Sequence, residues 1–216
     1  MKDFILSILF LVSPSILSAQ NFDSTESKIV AVDKEFSDSS VAEGPYRSFV
    51  KFLTEDAYIL PTLRPPERGR EAIRKFYGDF PSGARLVWTP AVAKCSADGS
   101  IGFTIGDYTY APPDSSGKSR TGKYLTVWKR QSDGSLRAIA DMGSPAAASV
   151  DTTGKWIYER SPLIHESTAD FMIEVGTYEL RAVKDSDRFP IRRGNYVTAW
   201  RVNKSGVKSL VADYQN

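Results

Sequence analysis

The sequence predicts an α+β protein with its helices at the front and antiparallel sheet throughout the rest. Three observations predict it. Apolar residues keep helical spacing only before Gly78, and from Arg85 onward stretches rich in aromatic and β-branched residues alternate with turn dipeptides. The third observation is a repeat. Gly122-Lys123-Tyr124-Leu125-Thr126-Val127-Trp128 returns as Gly194-Asn195-Tyr196-Val197-Thr198-Ala199-Trp200, and the same offset carries Pro90 onto Pro162, Arg120 onto Arg192, Gly134 onto Gly206 and Asp141 onto Asp213. Gly106 and Tyr108 return as Gly176 and Tyr178. One four-strand unit is therefore used twice, with helices attached only to the first copy.

The elements follow in order. Asp23 or Ser24 caps a first helix whose apolar positions are Ile29, Val32, Phe36 and Val41. Gly44-Pro45 breaks it and starts a second, with Tyr46, Phe49, Val50 and Leu53 as its stripe. Ala57 to Leu60 reads as a short strand closed by Pro61, Leu63 to Arg68 as loop, and Glu71 to Tyr77 as a third helix stopped by Gly78. The first four long strands run over Arg85–Lys94, Ile101–Ala111, Thr121–Arg130 and Leu136–Met142, with Asp98-Gly99 and Asp133-Gly134 as hairpin turns. The repeated four run over Trp156–Ile164, Asp170–Arg181, Arg192–Val202 and Val207–Tyr214. Hairpin connections predict an antiparallel meander in each copy. A sheet without helices still has an apolar face to cover. The two sheets are therefore expected to pack face to face through apolar and aromatic side chains, the alternative being edge-to-edge extension.

Residues 1–19 form a signal-peptide pattern: Lys2, an apolar core from Phe4 to Val12, and Leu17-Ser18-Ala19 before Gln20. The expected organisation is a signal peptide over 1–19, a complete domain over 20–143, a linker over 144–154 and a sheet-only partial repeat over 155–216. Localisation is expected to be periplasmic or secreted, with cleavage after Ala19. The apolar core is shorter than the roughly 20 residues of a membrane span. The formal charge of +2 argues against a polyanionic partner, so nucleic acid is not expected. Lys118, Arg120, Lys123, Arg188, Arg192 and Arg193 read as charges that protect strand edges. Cys95 is the only cysteine and makes no internal disulfide; a small buried side chain is the favoured reading over a reactive thiol.

The short strand Leu53-Thr54-Glu55-Asp56-Ala57-Tyr58-Ile59-Leu60-Pro61, the helix start Gly69-Arg70-Glu71-Ala72-Ile73 and the pattern Gly122-x-Tyr124-x-Thr126-x-Trp128 before Asp133-Gly134 form an ordered set. In this order the chain resembles the nuclear-transport-factor-2-like superfamily, which includes ketosteroid-isomerase-like and SnoaL-like proteins, and within it the poorly characterised exported bacterial members. The resemblance covers Thr25 to Gly143 as a whole domain and Trp156 to Tyr214 as a sheet-only half. It implies a cone-like, cystatin-type domain, three helices on a curved antiparallel sheet, open at one end as a pocket. Members often dimerise sheet against sheet, so the second four-stranded sheet is expected to act as an internal pseudo-dimer partner. A monomer of that kind, or a homodimer, is the expected assembly.

The resemblance also implies where isomerase chemistry would sit. The base position before Pro61 is Leu60, the oxyanion tyrosine position falls on Phe36, and the acid position falls near Thr126. Leucine takes no proton and phenylalanine donates no hydrogen bond, so isomerase chemistry of that kind is not expected. His165 is the only histidine, which with one cysteine argues against a nucleophilic triad and against a typical zinc site; no metal or cofactor is expected. Gly117-Lys118-Ser119 lacks the first glycine of a phosphate loop, and Asn203-Lys204-Ser205 matches a glycosylation acceptor in a chain that otherwise reads as bacterial. Asp33, Glu35 and Asp38 read as the solvated face of the first helix, and Glu55 and Asp56 as exposed. Asp114, Asp185 and Asp187 are too scattered for a calcium site.

What remains is an aromatic pocket. Strand alternation groups Tyr124, Thr126 and Trp128 on one face, Tyr108 and Tyr110 on a face of the preceding strand, with Trp88 on the strand before and Tyr58 near the mouth. These seven are the candidate ligand-binding residues; the competing reading is that they are core and that such side chains join the two sheets. The expected function is non-catalytic binding of a small apolar ligand or a protein partner. The alternatives are a cyclase- or isomerase-type enzyme with relocated catalytic groups, for which Tyr58, Tyr108 and Thr126 are the first hydroxyls to test, and a structural assembly module.

Overall fold

The computed structural model describes residues 23–113, 117–145, 156–182 and 192–216. The expected signal peptide, residues 146–154 of the expected linker, and Asp114, Asp185, Asp187 and Arg188 lie outside the described residues. Helix α1 spans Ser24–Glu43, and of the two expected caps Asp23 is the one used, as part of a capping box. The Asp23 carboxylate accepts from the backbone N–H groups of Thr25 and Glu26, and Glu26 accepts from that of Asp23. Gly44, at φ 89°, ends α1, and Pro45 opens α2, Pro45–Phe52. Leu53 begins β1, Leu53–Leu60, and does not end the helical stripe. Glu67–Arg68, expected as loop, forms the two-residue β2 paired with Tyr58 and Ile59. Helix α3 is Arg70–Tyr77.

Strands β3 (Arg85–Cys95), β4 (Ile101–Ala111), β5 (Arg120–Arg130) and β6 (Leu136–Pro145) follow, β6 continuing through Pro145 past the expected end at Met142. The repeat supplies β7 (Trp156–Ser167), β8 (Phe171–Ala182), β9 (Arg192–Val202) and β10 (Lys208–Gln215). The first sheet has the order β2-β1-β6-β5-β4-β3, the second β10-β9-β8-β7. The second is wholly antiparallel. The first is not: β1 runs parallel to β6, so the expected antiparallel sheet is a mixed one. Helix α3 and four strands separate β1 from β6, and so long a connection leaves the chain free to return in the parallel sense.

The repeat extends to the irregularities. The β3–β4 register slips after Pro90, and the β7–β8 register slips after its counterpart Pro162. The β5–β6 register slips at Ile139, and the β9–β10 register slips at Val211, the equivalent position in the second copy. The bulge at Ile139 has a consequence for orientation. Ala138 faces the helices, Ala140 and Met142 face the second sheet, and Asp141 therefore turns to the helix side opposite Thr126.

Two apolar layers result, one on each face of the first sheet. On one face α1 and α2 bury Ile29, Phe36, Phe49 and Phe52 against Trp88, Tyr124 and Trp128. On the other, Phe103, Leu125, Val127 and Met142 pack against Phe171, Ile173, Val175, Val197 and Ala199 of the second sheet. The sheets thus meet face to face, as expected, and not edge to edge. The competing reading, in which the Tyr-Thr-Trp side chains join the two sheets, does not hold. The Tyr-Thr-Trp faces turn away from the contact, and the aliphatic Leu125-Val127 and Val197-Ala199 faces make it. Mostly aliphatic side chains, with the Phe103–Phe171 ring pair, fill the space between the stacked sheets, while the Trp88, Tyr124 and Trp128 rings of the first sheet meet the helices.

Candidate functional site

The polar side of α1 is solvated at Glu35 and Asp38, as expected, but not at Asp33. Asp33, expected on the exposed face, is 0% exposed; its carboxylate accepts from the Trp88 indole Nε1–H at 2.8 Å and the Tyr124 hydroxyl at 2.6 Å. The Ser37 hydroxyl donates to the Trp88 carbonyl and accepts from its N–H, and Ser40 donates to the Leu86 carbonyl. Asp33, Ser37 and Ser40 lie one helical turn apart, so a polar stripe within an otherwise apolar face satisfies β3, the last strand of its sheet. Burial raises the Asp33 carboxyl, opposed by its hydrogen bonds from Tyr124 and Trp88. Burial, then the adjacent Asp33, raises the Tyr124 hydroxyl.

Beside this cluster, between the helices and the sheet, opens a cavity of about 290 Å³, at the small end of ligand sites. Phe49 of α2, Phe76 and Tyr77 of α3 and Phe80 form its helix side. Leu86 and Trp88 of β3, Tyr108 of β4 and Tyr124 of β5 form its floor. Ile59, Leu60, Pro61 and Thr62 close one wall, with Asp141, Gly143 and Pro145 of β6 beside them. Phe49 and Tyr77 stack at 3.8 Å.

Three of the seven candidate residues, Trp88, Tyr108 and Tyr124, line this cavity. Thr126 lies beneath it and donates to the Asp141 carboxylate at 2.8 Å. Trp128 is buried deeper, donating its Nε1–H to Thr104. Tyr110 stands outside, edge-on to Phe80 at 5.5 Å and under Arg120. Tyr58 points to the other face of the sheet, beneath the Arg68 guanidinium, in a polar cleft with His165. Alternation along β1 decides this, because Ile59 takes the cavity side. Leu60 packs towards the second sheet and Phe36 sits at the centre of the helix-side core, touching Phe49, Phe52 and Trp88.

Asp141 is the residue that sequence reasoning missed as a site. It is the one carboxyl among the residues lining the cavity, and burial pushes it up to about 7, against the lowering effect of its bond from Thr126, with Asp33 adding a further rise. Among the described residues no cation pairs with it. Its place in the repeat was visible in the sequence, but its orientation depends on the bulge at Ile139, which has no local sequence signature. Asn195 and Asn216 were also missed. The Asn216 amide donates to the Leu60 and Gly143 carbonyls, and the Asn195 amide donates to the Pro61 carbonyl at 2.8 Å. The second sheet thus holds the cavity wall in place.

Cys95 is buried, and burial pushes its thiol up to about 11. His165 is exposed on β7, with Glu174 at 3.7 Å. No group of residues able to hold a metal ion occurs among the described residues, and no described helix is long and apolar enough to cross a membrane.

No family model matches the chain, and no curated protein matches it. Solved structures do. A ketosteroid isomerase-like protein from Erwinia carotovora atroseptica is 11% identical, at a TM-score of 0.47, over 59% of this chain and 100% of that one. A nuclear transport factor 2-like superfamily protein from Salmonella enterica is 15% identical, at 0.47, over 61% and 98%. A domain of unknown function with a cystatin-like fold from Nostoc punctiforme is 16% identical, at 0.47, over 59% and 81%. The likeness is one of fold.

Proposed function

We propose that this is an exported protein that binds a small, largely apolar molecule in the cavity between its helices and its first sheet. The observation that carries the reading is the lining. Aromatic and aliphatic side chains surround the space, and a single carboxyl, Asp141, projects from β6 as a polar handle. The absence of a carboxylate at Leu60 and of a hydroxyl at Phe36 supports binding without the isomerase chemistry that the fold invites. The second sheet, in this reading, replaces the partner subunit and fixes the cavity wall through Asn195 and Asn216. Export rests on the pattern of residues 1–19; intact mass of the protein from a fractionated host would show a chain beginning at Gln20.

The test is native mass spectrometry of the protein purified gently from its own host, beside Gly143→Val. A Cβ at Gly143 meets only the Tyr108 ring, at 3.9 Å, so a side chain added there enters the cavity. A molecule retained at fixed stoichiometry by the parent and absent from the variant supports the reading. A parent that is always empty, or equal retention by both, overturns it.

One observation favours the cyclase- or isomerase-type alternative: a carboxyl titrating near neutrality is what a general base requires. In that reading Asp141 is the relocated base. Incubation of the retained molecule with fresh protein would then change its structure, and Asp141→Asn would stop the change while keeping the molecule bound.

A further inference from the structure

The repeat contains a second version of the cavity's polar corner, and it holds a cation. In the second sheet the Thr198 hydroxyl donates to Asp213 at 2.7 Å, as Thr126 donates to Asp141 in the first. Both pairs face each other across equivalent strands. Above Asp213 lies the Arg160 guanidinium, with Nη2 at 2.9 and 3.0 Å from the two carboxylate oxygens and Nη1 donating to Thr198 at 2.7 Å. The same guanidinium lies 4.4 Å from the Tyr196 ring centroid and 5.0 Å from that of Tyr158. A threonine-braced carboxylate walled by aromatic rings is here an occupied cation site.

Under the offset that relates the two copies, Tyr158, Arg160, Tyr196 and Asp213 correspond to Leu86, Trp88, Tyr124 and Asp141, and all four of these line the cavity. The carboxyl, its threonine and the tyrosine are kept. The built-in cation is not: Trp88 stands in its position and turns its N–H to Asp33. We propose that the cavity takes a small organic cation, an ammonium or amidinium on an apolar body, whose charged group meets Asp141 as Arg160 meets Asp213. This names the ligand class of the site proposed above and rests on that reading. Aromatic rings suit a cation because their faces carry negative charge, and an apolar wall strengthens the ion pair by excluding water.

The groups facing Asp141 are Thr126 and Tyr124 of β5, Tyr77 of α3, and Asp33 of α1 acting from behind Tyr124. Asp33 is a further negative group and also favours a cation. Since the empty cavity holds the Asp141 proton up to about 7, a cation must displace it. Affinity should fall about tenfold for each pH unit below that value, with about one proton released per cation bound.

Isothermal titration calorimetry at pH 8 with 2-phenylethylamine, benzamidine, 2-phenylethanol and phenylacetate tests this. Either cation should bind at least about tenfold more tightly than the alcohol, and phenylacetate least. Asp141→Asn should bring the amine and the alcohol to within about threefold of each other at pH 8, and should abolish the proton release that the parent shows when the titration is repeated at pH 6. Trp88→Arg, which restores the arrangement of the second copy, should block both cations. If the alcohol or phenylacetate binds as well as the cations, or if Asp141→Asn leaves the preference intact, the cation proposal is overturned and the ligand site stands. If no probe binds and the parent retains no molecule from its host, both fall.

Discussion

Replacing Asp141 with Asn isolates the free energy of keeping an uncompensated carboxyl in an apolar cavity. In the folded protein the carboxyl is pushed up to about 7, against 3.8 for an ordinary aspartate. Between these values the native state keeps a proton that the unfolded chain has released. Stability therefore falls as pH rises through the window, and the full penalty is present above about pH 7. The displacement is roughly three pH units, and at about 1.4 kcal/mol each the whole effect is ~4 kcal/mol, an upper bound because part of the carboxyl surface opens onto the cavity. Asparagine still accepts the Thr126 hydrogen bond and never ionises. Urea unfolding of the two proteins from pH 5 to pH 8, followed by tryptophan fluorescence and far-ultraviolet circular dichroism together, should show the variant gaining on the parent by about 2–3 kcal/mol. Most of the gain should arise below pH 7.5. A gain that stays flat from pH 5 to pH 8, within the scatter of the unfolding curves, would refute the claim that Asp141 lacks a compensating charge.

The contact between the sheets yields a second expectation. Phe171 is fully buried opposite Phe103, with ring centroids 6.4 Å apart, so Phe171→Ala should cost about 3–5 kcal/mol in urea unfolding and expose surface that binds a hydrophobic dye. An unchanged midpoint would mean that the sheets do not share a core. Asn216→Ala leaves the Leu60 and Gly143 carbonyls without the amide that bridges them. It should cost about 1–3 kcal/mol and speed amide hydrogen exchange from Leu60 to Arg64; exchange confined to the second sheet would argue against its hold on the cavity wall. Cys95, buried and pushed up to about 11, should resist a thiol-specific disulfide reagent at pH 7.5 until urea unfolds the chain. Rapid labelling of the native protein would show that the thiol is accessible.

Much of the architecture was legible before any coordinates. The helix cap, expected at Asp23 or Ser24 and found at Asp23, the break at Gly44-Pro45 and the hairpin dipeptides are local signals. Ile101–Ala111 and Arg192–Val202 match residue for residue, because turn residues bound an uninterrupted β-rich run on both sides. The parallel pairing of β1 with β6 was not legible, since nothing local to Leu53–Leu60 names its neighbour. Nor was β2, whose two residues become strand only because β1 offers them an edge.

The site was less legible than the fold. Pattern alone grouped Trp88, Tyr108 and Tyr124 because they alternate in step on neighbouring strands. The same rule carried Trp128 into the list, although α1 closes over it; Tyr58, listed for its place near the mouth, turns to the other face of β1. Asp33 was read as solvated because a carboxylate on a helix usually is. Only the meeting of α1 with β3 and β5 reveals two hydrogen-bond donors, Trp88 and Tyr124, converging on it.

The sequence by itself determined most of the secondary structure, the duplication and the stacking of two sheets, because these follow from short-range periodicity and from the need of an apolar face for a cover. Only the tertiary structure decided which faces meet, which carboxyl enters the cavity and which is matched by a cation. The decisive events are a one-residue bulge at Ile139 and a Trp-for-Arg exchange between copies. A bulge inverts every side chain beyond it, and a carboxylate's character depends on the charge opposite, which for Asp213 comes from Arg160 on β7, a strand distant in sequence.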